Sequence, residues 1–358
     1  MPEVVELREV TDRRDVIHRA VQRLSSGELV ALPSESGYVV VAAGCYEQVA
    51  GQLPGDGLTS LLLRSASELA DFVPNLSQVG VRIARRCWPG PLVLKVSNSA
   101  VGRFAAALSA STRVAVDDGD HWSFRVSSHP VLSEITHLMN GPLVVREVPF
   151  TKESAANNPL FSQVSLIVTE TAASEAVASV VKIESSGWSL VRSGSVPESK
   201  LQVTACEVIL FVCTGNTCRS PMAEAMCRKL LAERLKCTEQ ELIARGFLVA
   251  SAGLAADYGS AASHESVGIM KQRGIDLRAH TSQPLTERLL DQADRCYTMT
   301  KGHRNAILDS RPEVVHRVQL LSRDGGDISD PIGAGREEYA ACAASIERHL
   351  TQILDEII

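Results

Sequence analysis

A cysteine, an arginine and a serine stand close together in the run Cys213-Thr214-Gly215-Asn216-Thr217-Cys218-Arg219-Ser220. A thiolate can attack a phosphate ester in line, and the phosphoryl oxygens then need hydrogen-bond donors. The backbone N–H groups of a short loop and the bidentate fork of Arg219 can supply them. The same positive field favours the thiolate of Cys213, to which Ser220 can donate a hydrogen bond. The spacing predicts nucleophilic chemistry on a phosphate ester.

The flanking segments indicate which elements position this loop. The apolar run Val208–Val212 before it is typical of a buried strand, and good helix formers after Pro221 indicate a helix over Met222–Leu235. Strand and helix patterns then alternate to residue 358, which predicts a doubly wound parallel sheet with the loop at a strand's carboxyl end. The further predicted segments are strands at 247–250, 295–299 and 317–321 and helices at 263–273 and 337–358.

The first half predicts a separate, mixed α/β domain. An amphipathic helix pattern covers Arg13–Leu24, and short apolar runs that are typical of strands follow at 29–32, 61–63, 92–96, 143–145 and 165–168. The polar stretch Arg192–Lys200 is typical of a linker. We therefore expect one domain over 1–190, a linker over 191–206 and a second domain over 207–358.

Composition limits the class of protein. The chain has 358 residues, of which 45% are hydrophobic and 22% charged, and its net charge is −6. These values indicate a globular protein and give no general basic field for nucleic acid or an anionic membrane. The N-terminal residues lack the pattern of a signal peptide, and no apolar stretch is long enough to span a membrane. The nine cysteines lack the spacing of metal ligands. We expect a cytoplasmic enzyme with reduced thiols.

The second half resembles the low-molecular-weight protein tyrosine phosphatases from about Glu207 to Leu354. The likeness is carried by the stretches 212–224, Ser251-Ala252-Gly253, Arg273-Gly274-Ile275-Asp276, Ala293-Asp294 and Asp327-Ile328-Ser329-Asp330-Pro331. It implies a protein phosphatase that needs no metal and no cofactor and acts on phosphorylated protein. Cys213 would be the nucleophile, Arg219 would bind the phosphoryl oxygens and Asp330 would be the general acid.

Two further roles come from this resemblance. Asn216 would hold the strained backbone of the loop through its side chain, and His280 would brace Asn216. His280 as an ordinary surface histidine remains an alternative. For Asp330 a physical argument stands beside the resemblance, because a carboxyl on a glycine-rich loop can protonate a leaving group and then activate water. The alternative is that Asp330 is only a turn residue before proline.

The residues around the loop leave the substrate open between phosphotyrosine and phosphoarginine. Tyrosine-directed members of the family carry aromatic residues just after the Asp-Pro, where this chain has Ile332. Tyr258 could still supply one aromatic wall. Thr217 resembles the loop threonine of the bacterial protein arginine phosphatases, which replaces a bulkier aliphatic residue there. Its hydroxyl could position water near a P–N bond.

Two other cysteines have alternative interpretations. Cys218 could form a disulfide with Cys213 that protects the nucleophile from over-oxidation, or it could only fill the inner face of the loop. Cys296 lies in a predicted strand, so we expect it to be a core residue, with a catalytic role as the alternative.

The first half resembles, more distantly, the YrdC-like family that makes threonylcarbamoyl-adenylate for a tRNA modification. The matching stretches are Leu32-Pro33-Ser34-Glu35-Ser36-Gly37-Tyr38, Trp88-Pro89-Gly90-Pro91-Leu92, 124–130 and 141–145. The resemblance implies an open α/β fold with a basic cavity for ATP. However, the basic phosphate-binding segment of that family is replaced here by 51–57, which has no basic residue, and its closing serine-rich segment by Arg146–Phe150.

Three hypotheses follow for the first domain. It has kept the fold and lost or changed the synthase activity, it is an active threonylcarbamoyl-adenylate synthase to which a phosphatase is appended, or it is a regulatory module that binds nucleotide or double-stranded RNA. Arg125 is the remaining basic residue of the cavity, where it either contacts a ligand or anchors the fold. Arg64 and Arg146 are the other basic residues that could replace the lost cations.

Overall fold

Two separate β-sheets organise the chain, one in each of the compact units 1–205 and 206–358. The structure is a computed structural model and describes residues 2–47, 50–149, 161–170, 176–185 and 187–358. In these ranges no helix is both long and apolar enough to cross a membrane.

The first unit contains a mixed sheet of ten strands in the order β1-β8-β2-β3-β7-β4-β6-β5-β9-β10. The pairs β1–β8, β2–β8, β4–β6 and β5–β9 are parallel and the other pairs are antiparallel. The strands are β1 (Glu3–Glu6), β2 (Leu29–Ser34), β3 (Gly37–Ala43), β4 (Thr59–Leu62), β5 (Leu92–Ser97), β6 (His121–Arg125), β7 (Leu143–Val148), β8 (Val164–Thr169), β9 (Ser179–Glu184) and β10 (Gly187–Arg192).

Helices cover both faces of this sheet. On β2, Leu29 and Ala31 belong to one apolar core while Val30 and Leu32 belong to another. Since successive side chains of a strand point to opposite faces, both faces are buried. The helices are α1 (Arg13–Ser25), α2 (Leu69–Phe72), α3 (Gln78–Cys87), α4 (Ala110–Val116), α5 (Pro130–Leu138) and α6 (Glu198–Ala205).

The segment expected to be a linker, 191–206, is folded into the first unit. Residues 191 and 192 end β10, where Arg192 forms a bidentate ion pair with Glu147 (2.7 and 2.8 Å). The helix α6 follows, and its Leu201 is fully buried in the core of this unit. The compact unit consequently ends at Ala205 and not at residue 190. The polar composition of 192–200 conceals this, because only a few buried apolar side chains, Val196, Leu201 and Ala205, anchor the segment.

The second unit is built on four parallel strands in the order β12-β11-β13-β14, with helices on both faces. The predicted alternation is therefore observed, and α7 begins three residues before the predicted Met222. The elements are β11 (Glu207–Cys213), α7 (Arg219–Leu235), β12 (Phe247–Gly253), α8 (His264–Gln272), α9 (Glu287–Gln292), β13 (Arg295–Thr298), α10 (Lys301–Ser310), β14 (Val318–Leu320) and α11 (Arg336–Ile357).

The central strand β11 divides the core of this unit in two. Ile209 and Phe211 pack with α7 and α11 on one face, and Leu210 packs with α9 and α10 on the other. The strand β11 is buried on both sides, and its last residue, Cys213, lies at the carboxyl edge of the sheet. Helix α7 begins at Arg219, so residues 214–218 form a short loop between strand and helix.

Candidate active site

Asn216 fixes the shape of the loop after β11. Its φ angle of 52° is in the left-handed region, which non-glycine residues rarely adopt. The side-chain Nδ2 donates to Ser220 Oγ (2.9 Å) and Ser251 Oγ (2.8 Å), and Oδ1 accepts from Gln283 N (2.9 Å). The His280 ring Nε2 lies 2.8 Å from the Asn216 carbonyl oxygen. These contacts place Asn216 and His280 together, as the resemblance implies.

The Cys213 thiol faces two hydrogen-bond donors. Its Sγ lies 2.9 Å from Ser220 Oγ, and the Asn216 N–H donates to it at 3.3 Å. Ser220 Oγ accepts from the Asn216 side chain, and its single proton can be donated either to the sulfur or to Ala252 O (3.3 Å). Both contacts stabilise a thiolate more than a thiol. The sulfur is buried, with Cys213 only 3% exposed, which suits a nucleophile that reacts with a bound ligand.

Arg219 and Asp330 form an ion pair at the mouth of the loop. The guanidinium of Arg219 is almost fully buried, and its Nη1 donates to Ile328 O (3.3 Å). Asp330 is much more exposed, and its Oδ1 accepts from the Ile332 N–H (3.2 Å). The Asp330 carboxylate thus pairs with Nη2 of Arg219, while Nη1 is held by Ile328 O.

The other loop side chains bind neighbouring elements. Thr214 Oγ1 lies 2.9 Å from His303 Nε2, on α10. Thr217 Oγ1 lies 3.7 Å from Cys218 Sγ, which in turn lies 3.4 Å from the Tyr339 hydroxyl, on α11. Gly215 lies between these contacts. The loop is therefore attached to α10 on one side and to α11 on the other.

His303 is a site residue that the sequence analysis missed. It is buried, and its Nδ1 lies 3.0 Å from Thr300 Oγ1, so each ring nitrogen meets a threonine hydroxyl. Burial lowers the pKa of His303, and the charge of Arg219 lowers it further. The ring is therefore neutral at pH 7. The signal in the sequence is the Thr300-x-x-His303 spacing, in which Thr300 caps α10 and accepts from the His303 N–H.

Glu224 was also missed, although it belongs to the stretch that carries the resemblance. Its Oε2 accepts from Ser251 Oγ at 2.6 Å, and Ser251 accepts from Asn216. A line of hydrogen bonds therefore runs from a carboxylate on α7 through Ser251 and Asn216 to Ser220, beside the thiol.

The two residues expected to form a substrate wall are largely in solvent. Tyr258 is 72% exposed and Ile332 is 69% exposed. The structure therefore does not pack either side chain into a formed aromatic slot.

All nine cysteines of the chain are free thiols. Cys213 and Cys218 share one apolar core. Cys296 is fully buried in a strand, and burial raises the pKa of its thiol to about 12, so it stays protonated. Within the described ranges no group of three or more His, Cys, Asp or Glu side chains is placed to hold a metal ion.

In the first unit, the structure places Arg125 in a buried ion pair. Its Nη2 donates to Glu35 Oε1 (2.8 Å) and Ser36 Oγ (3.1 Å), and Ser127 Oγ donates to Glu35 Oε2 (2.5 Å). Burial raises the pKa of Glu35, but the Arg125 charge and the Ser127 hydroxyl outweigh it and hold this pKa below its usual value. Glu35 therefore stays charged opposite Arg125.

The two other basic candidates of the first unit are also bound to protein groups. Arg64 Nη2 donates to Met139 O (2.9 Å), and Arg146 Nε donates to Thr59 Oγ1 (2.8 Å). Phe150, the last residue of the segment that replaces the family's closing motif, lies outside the described residues.

The family model described as low molecular weight phosphotyrosine protein phosphatase matches residues 208–358. A protein-arginine-phosphatase of Geobacillus stearothermophilus is 37% identical over 153 residues, which are 42% of this chain and 95% of that relative. The chain belongs to the low molecular weight phosphotyrosine protein phosphatase family. It is accordingly a phosphatase, and the resemblance seen in the sequence is confirmed.

Other relatives include both protein-arginine-phosphatases and protein-tyrosine-phosphatases. The protein-arginine-phosphatase of Bacillus subtilis is 35% identical over 42% of this chain and 95% of its own length. The low molecular weight protein-tyrosine-phosphatase Wzb of Escherichia coli is 32% identical over 40% of this chain and 90% of its own length. A solved structure, the YwlE arginine phosphatase from Geobacillus stearothermophilus, is 34% identical, covers 42% of this chain and 92% of its own, and has a TM-score of 0.37.

A second family model matches residues 22–194. It is the YrdC-type model described as telomere recombination, so the more distant resemblance of the first half is confirmed as well. The two matches occupy different units of the chain.

Proposed function

We propose that this protein hydrolyses phosphorylated protein side chains through a phosphocysteine intermediate formed on Cys213. The observation that carries the proposal is the pair of contacts at Cys213 Sγ, one with the Ser220 hydroxyl and one with the Asn216 N–H. The thiolate attacks phosphorus, the bond from phosphorus to the leaving group breaks, and Asp330 gives that group its proton. Water then attacks the phosphocysteine, Asp330 takes up the proton, and phosphate and the free thiolate remain.

Substrate binding in this scheme must separate Arg219 from Asp330. The phosphoryl oxygens compete for the guanidinium, which is held in place by Ile328 O. The released carboxylate takes up a proton from solvent, and the resulting carboxyl group lies beside the leaving group, to which it gives that proton. Asp330 is suited to this exchange, because it is exposed and lies near Gly333, whose φ of 77° marks a turn.

We further propose that phosphoarginine is preferred to phosphotyrosine. Two observations support this. Thr217 places a hydroxyl in the loop next to Cys218 and Arg219, and the two residues expected to form an aromatic slot lie mostly in solvent. The relatives named protein-arginine-phosphatases point the same way.

The test compares the hydrolysis of phosphoarginine and phosphotyrosine peptides by the full chain and two variants. Thr217→Ile should lower the ratio of kcat/KM for phosphoarginine over phosphotyrosine at least tenfold, because it removes the hydroxyl. Thr217→Ser keeps the hydroxyl and is the matched control. Cys213→Ser should hydrolyse neither peptide. An unchanged ratio in Thr217→Ile would contradict the preference, and turnover by Cys213→Ser would contradict the nucleophile.

For the first unit we propose that the YrdC-like fold is kept without synthase activity. The supporting observation is that Arg125 is buried against Glu35, which neutralises the cation that a triphosphate would need. Incubation of the full chain with ATP, threonine and bicarbonate should release no pyrophosphate above background. Pyrophosphate release that depends on threonine would overturn this proposal. ATP or double-stranded RNA that binds without turnover would identify a regulatory module.

A further inference from the structure

A basic cleft lies beside the loop that carries Asp330. It has a volume of about 450 Å³, and its cationic lining residues are Lys301, Arg304 and Arg323. No Asp or Glu is among the described residues that line it. This is unusual in a chain whose net charge is −6. A cleft with one sign of charge attracts ligands of the opposite sign.

The three cations are held in different ways. Arg304 Nε donates to Val318 O (3.2 Å), which fixes its guanidinium against the strand β14. Arg323 Nη1 donates to Gln319 Oε1 (3.3 Å), and its other terminal nitrogen pairs with Glu356. Lys301 is exposed and forms no ion pair among the described residues. Lys301 and most of the Arg304 guanidinium are thus available to a ligand.

The cleft also borders the edge of the sheet. β14 is the last strand of the four, and its residues Val318 and Gln319 contribute to the lining. An edge strand leaves backbone N–H and C=O groups on its outer side for another chain, although on β14 the Val318 carbonyl already accepts from Arg304. The cleft therefore presents cations beside a short sheet edge, an arrangement that suits an extended acidic peptide.

Helix α10 connects the cleft with the reaction site. His303 points from this helix to Thr214 in the phosphate-binding loop, whereas Lys301 and Arg304, which are three residues apart and share a helix face, point into the cleft. The Lys301 N–H also donates to Asp327 Oδ1 (2.8 Å), three residues before Asp330. A peptide bound in the cleft would lie along the segment that carries the proposed general acid.

We propose that this cleft docks a carboxylate-rich segment of the phosphoprotein substrate. The substrate role rests on the proposed function, whereas the docking itself does not. Lys301 and Arg304 would pair with Asp or Glu side chains of the segment, and the edge of β14 would align its backbone. The contacts are exposed, so the binding weakens as salt rises.

The docking is tested without any phosphoryl group. A fluorescein-labelled peptide with six consecutive glutamates is titrated with the full chain at low salt, and its anisotropy is measured. We expect saturable binding that Lys301→Glu with Arg304→Gln weakens at least tenfold. The control Arg288→Glu makes the same change of charge as Lys301→Glu on α9, outside the cleft. Absence of binding, or equal weakening by the control, would overturn the docking site.

A second measurement connects docking to turnover. The kcat/KM ratio for phosphopeptides with acidic over neutral flanks should exceed one in the parent chain and fall toward one in the double variant. Equal ratios in the parent and the variant would overturn the substrate role of the cleft. Failure of the proposed chemistry would give a different result. Cys213→Ser would still hydrolyse the phosphopeptides, while the binding measured by anisotropy would be unchanged.

Discussion

The ion pair between Arg219 and Asp330 couples two residues that the proposed reaction needs separately. Arg219 is nearly buried and held by Ile328 O, while Asp330 is exposed, and its second carboxylate oxygen accepts from the Ile332 N–H in its own turn. In the proposed reaction, the arginine therefore stays in place and the aspartate moves when a phosphoryl group binds. At this scale the function depends on how easily one carboxylate can be displaced.

Asp330→Asn should separate binding from chemistry. The amide carries no charge to compete with phosphate for Arg219, so inorganic phosphate should inhibit the variant at several-fold lower concentration. The amide cannot donate an acidic proton, so kcat for phenyl phosphate should fall by about 10²–10⁴. For para-nitrophenyl phosphate, whose leaving group needs little protonation, the loss should be much smaller. Weaker inhibition by phosphate would contradict the displacement.

His303 should make the folded protein sensitive to acid. Its pKa is lowered in the folded state, so below pH 6.5 the unfolded chain binds the proton more readily. The stabilisation from neutral His303 is complete above pH 6.5 and is lost as the pH falls through the folded-state pKa. Urea unfolding of the parent and of His303→Gln from pH 8 to pH 5 should give a stability difference that shrinks toward acid. A constant difference would rule out this linkage.

The sequence made some of these residues predictable and not others. Cys213 and Arg219 lie in one continuous motif next to an apolar strand, so their proximity follows from local spacing. His303 is 89 residues from its partner Thr214, and only the parallel pairing of β11 with β13 brings α10 to the loop. The ion pair between Arg219 and Asp330 could not be predicted either, because a motif identifies residues but not the hydrogen bonds between them.

At the scale of elements, the carboxyl end of β12 supports the loop of residues 214–218. A Cβ atom on Gly253 would overlap the Thr214 carbonyl oxygen and approach the Asn216 nitrogen to 2.9 Å. Both neighbours are backbone atoms, so neither can rotate away. The loop and the strand end therefore pack with no room for a side chain between them.

Gly253→Ala should disturb the loop and lower both stability and activity. The expected loss of unfolding free energy is about 1–3 kcal/mol, which is typical of an overpacked site, with a clear decrease in kcat. The matched control is Gly268→Ala in the exposed middle of α8, where nothing lies within 4 Å of the new Cβ. Gly268→Ala should raise the unfolding free energy by up to about 1 kcal/mol. Equal effects of the two substitutions would contradict the role assigned to Gly253.

Element types in the second unit were more predictable than those in the first. The alternation of buried strands and amphipathic helices after Val208 indicates a parallel sheet directly. In the first unit β3 (Gly37–Ala43) follows β2 after only two residues, and the two strands read together as one apolar stretch with a turn. Strands β9 and β10 were missed, because their pairing depends on β5, far away in the sequence.

At the scale of the whole molecule, the boundary between the units lies at Ala205. Each unit has its own sheet and its own apolar cores. The position of the boundary cannot be read from composition, since α6 is mostly polar and contributes chiefly through Leu201 and Ala205.

Truncation should reveal this boundary. A fragment of residues 1–205 should unfold cooperatively in urea, whereas a fragment of residues 1–190 should be less stable by several kcal/mol. The shorter fragment loses the buried Leu201 and the ion pair of Arg192 with Glu147. Leu201→Ala in the longer fragment provides a milder comparison, with a loss of about 2–5 kcal/mol. Equal stability of the two fragments would contradict a boundary at Ala205 and support one at residue 190.

The left-handed backbone at Asn216 has a consequence for how ligands arrive. Three side-chain hydrogen bonds within the protein hold this conformation, so the cost of ordering the loop is met during folding and not during binding. The site is preorganised, and phosphate should enter it without a change in loop conformation. The speed of phosphate entry would then be set by how often the Asp330 carboxylate leaves Arg219.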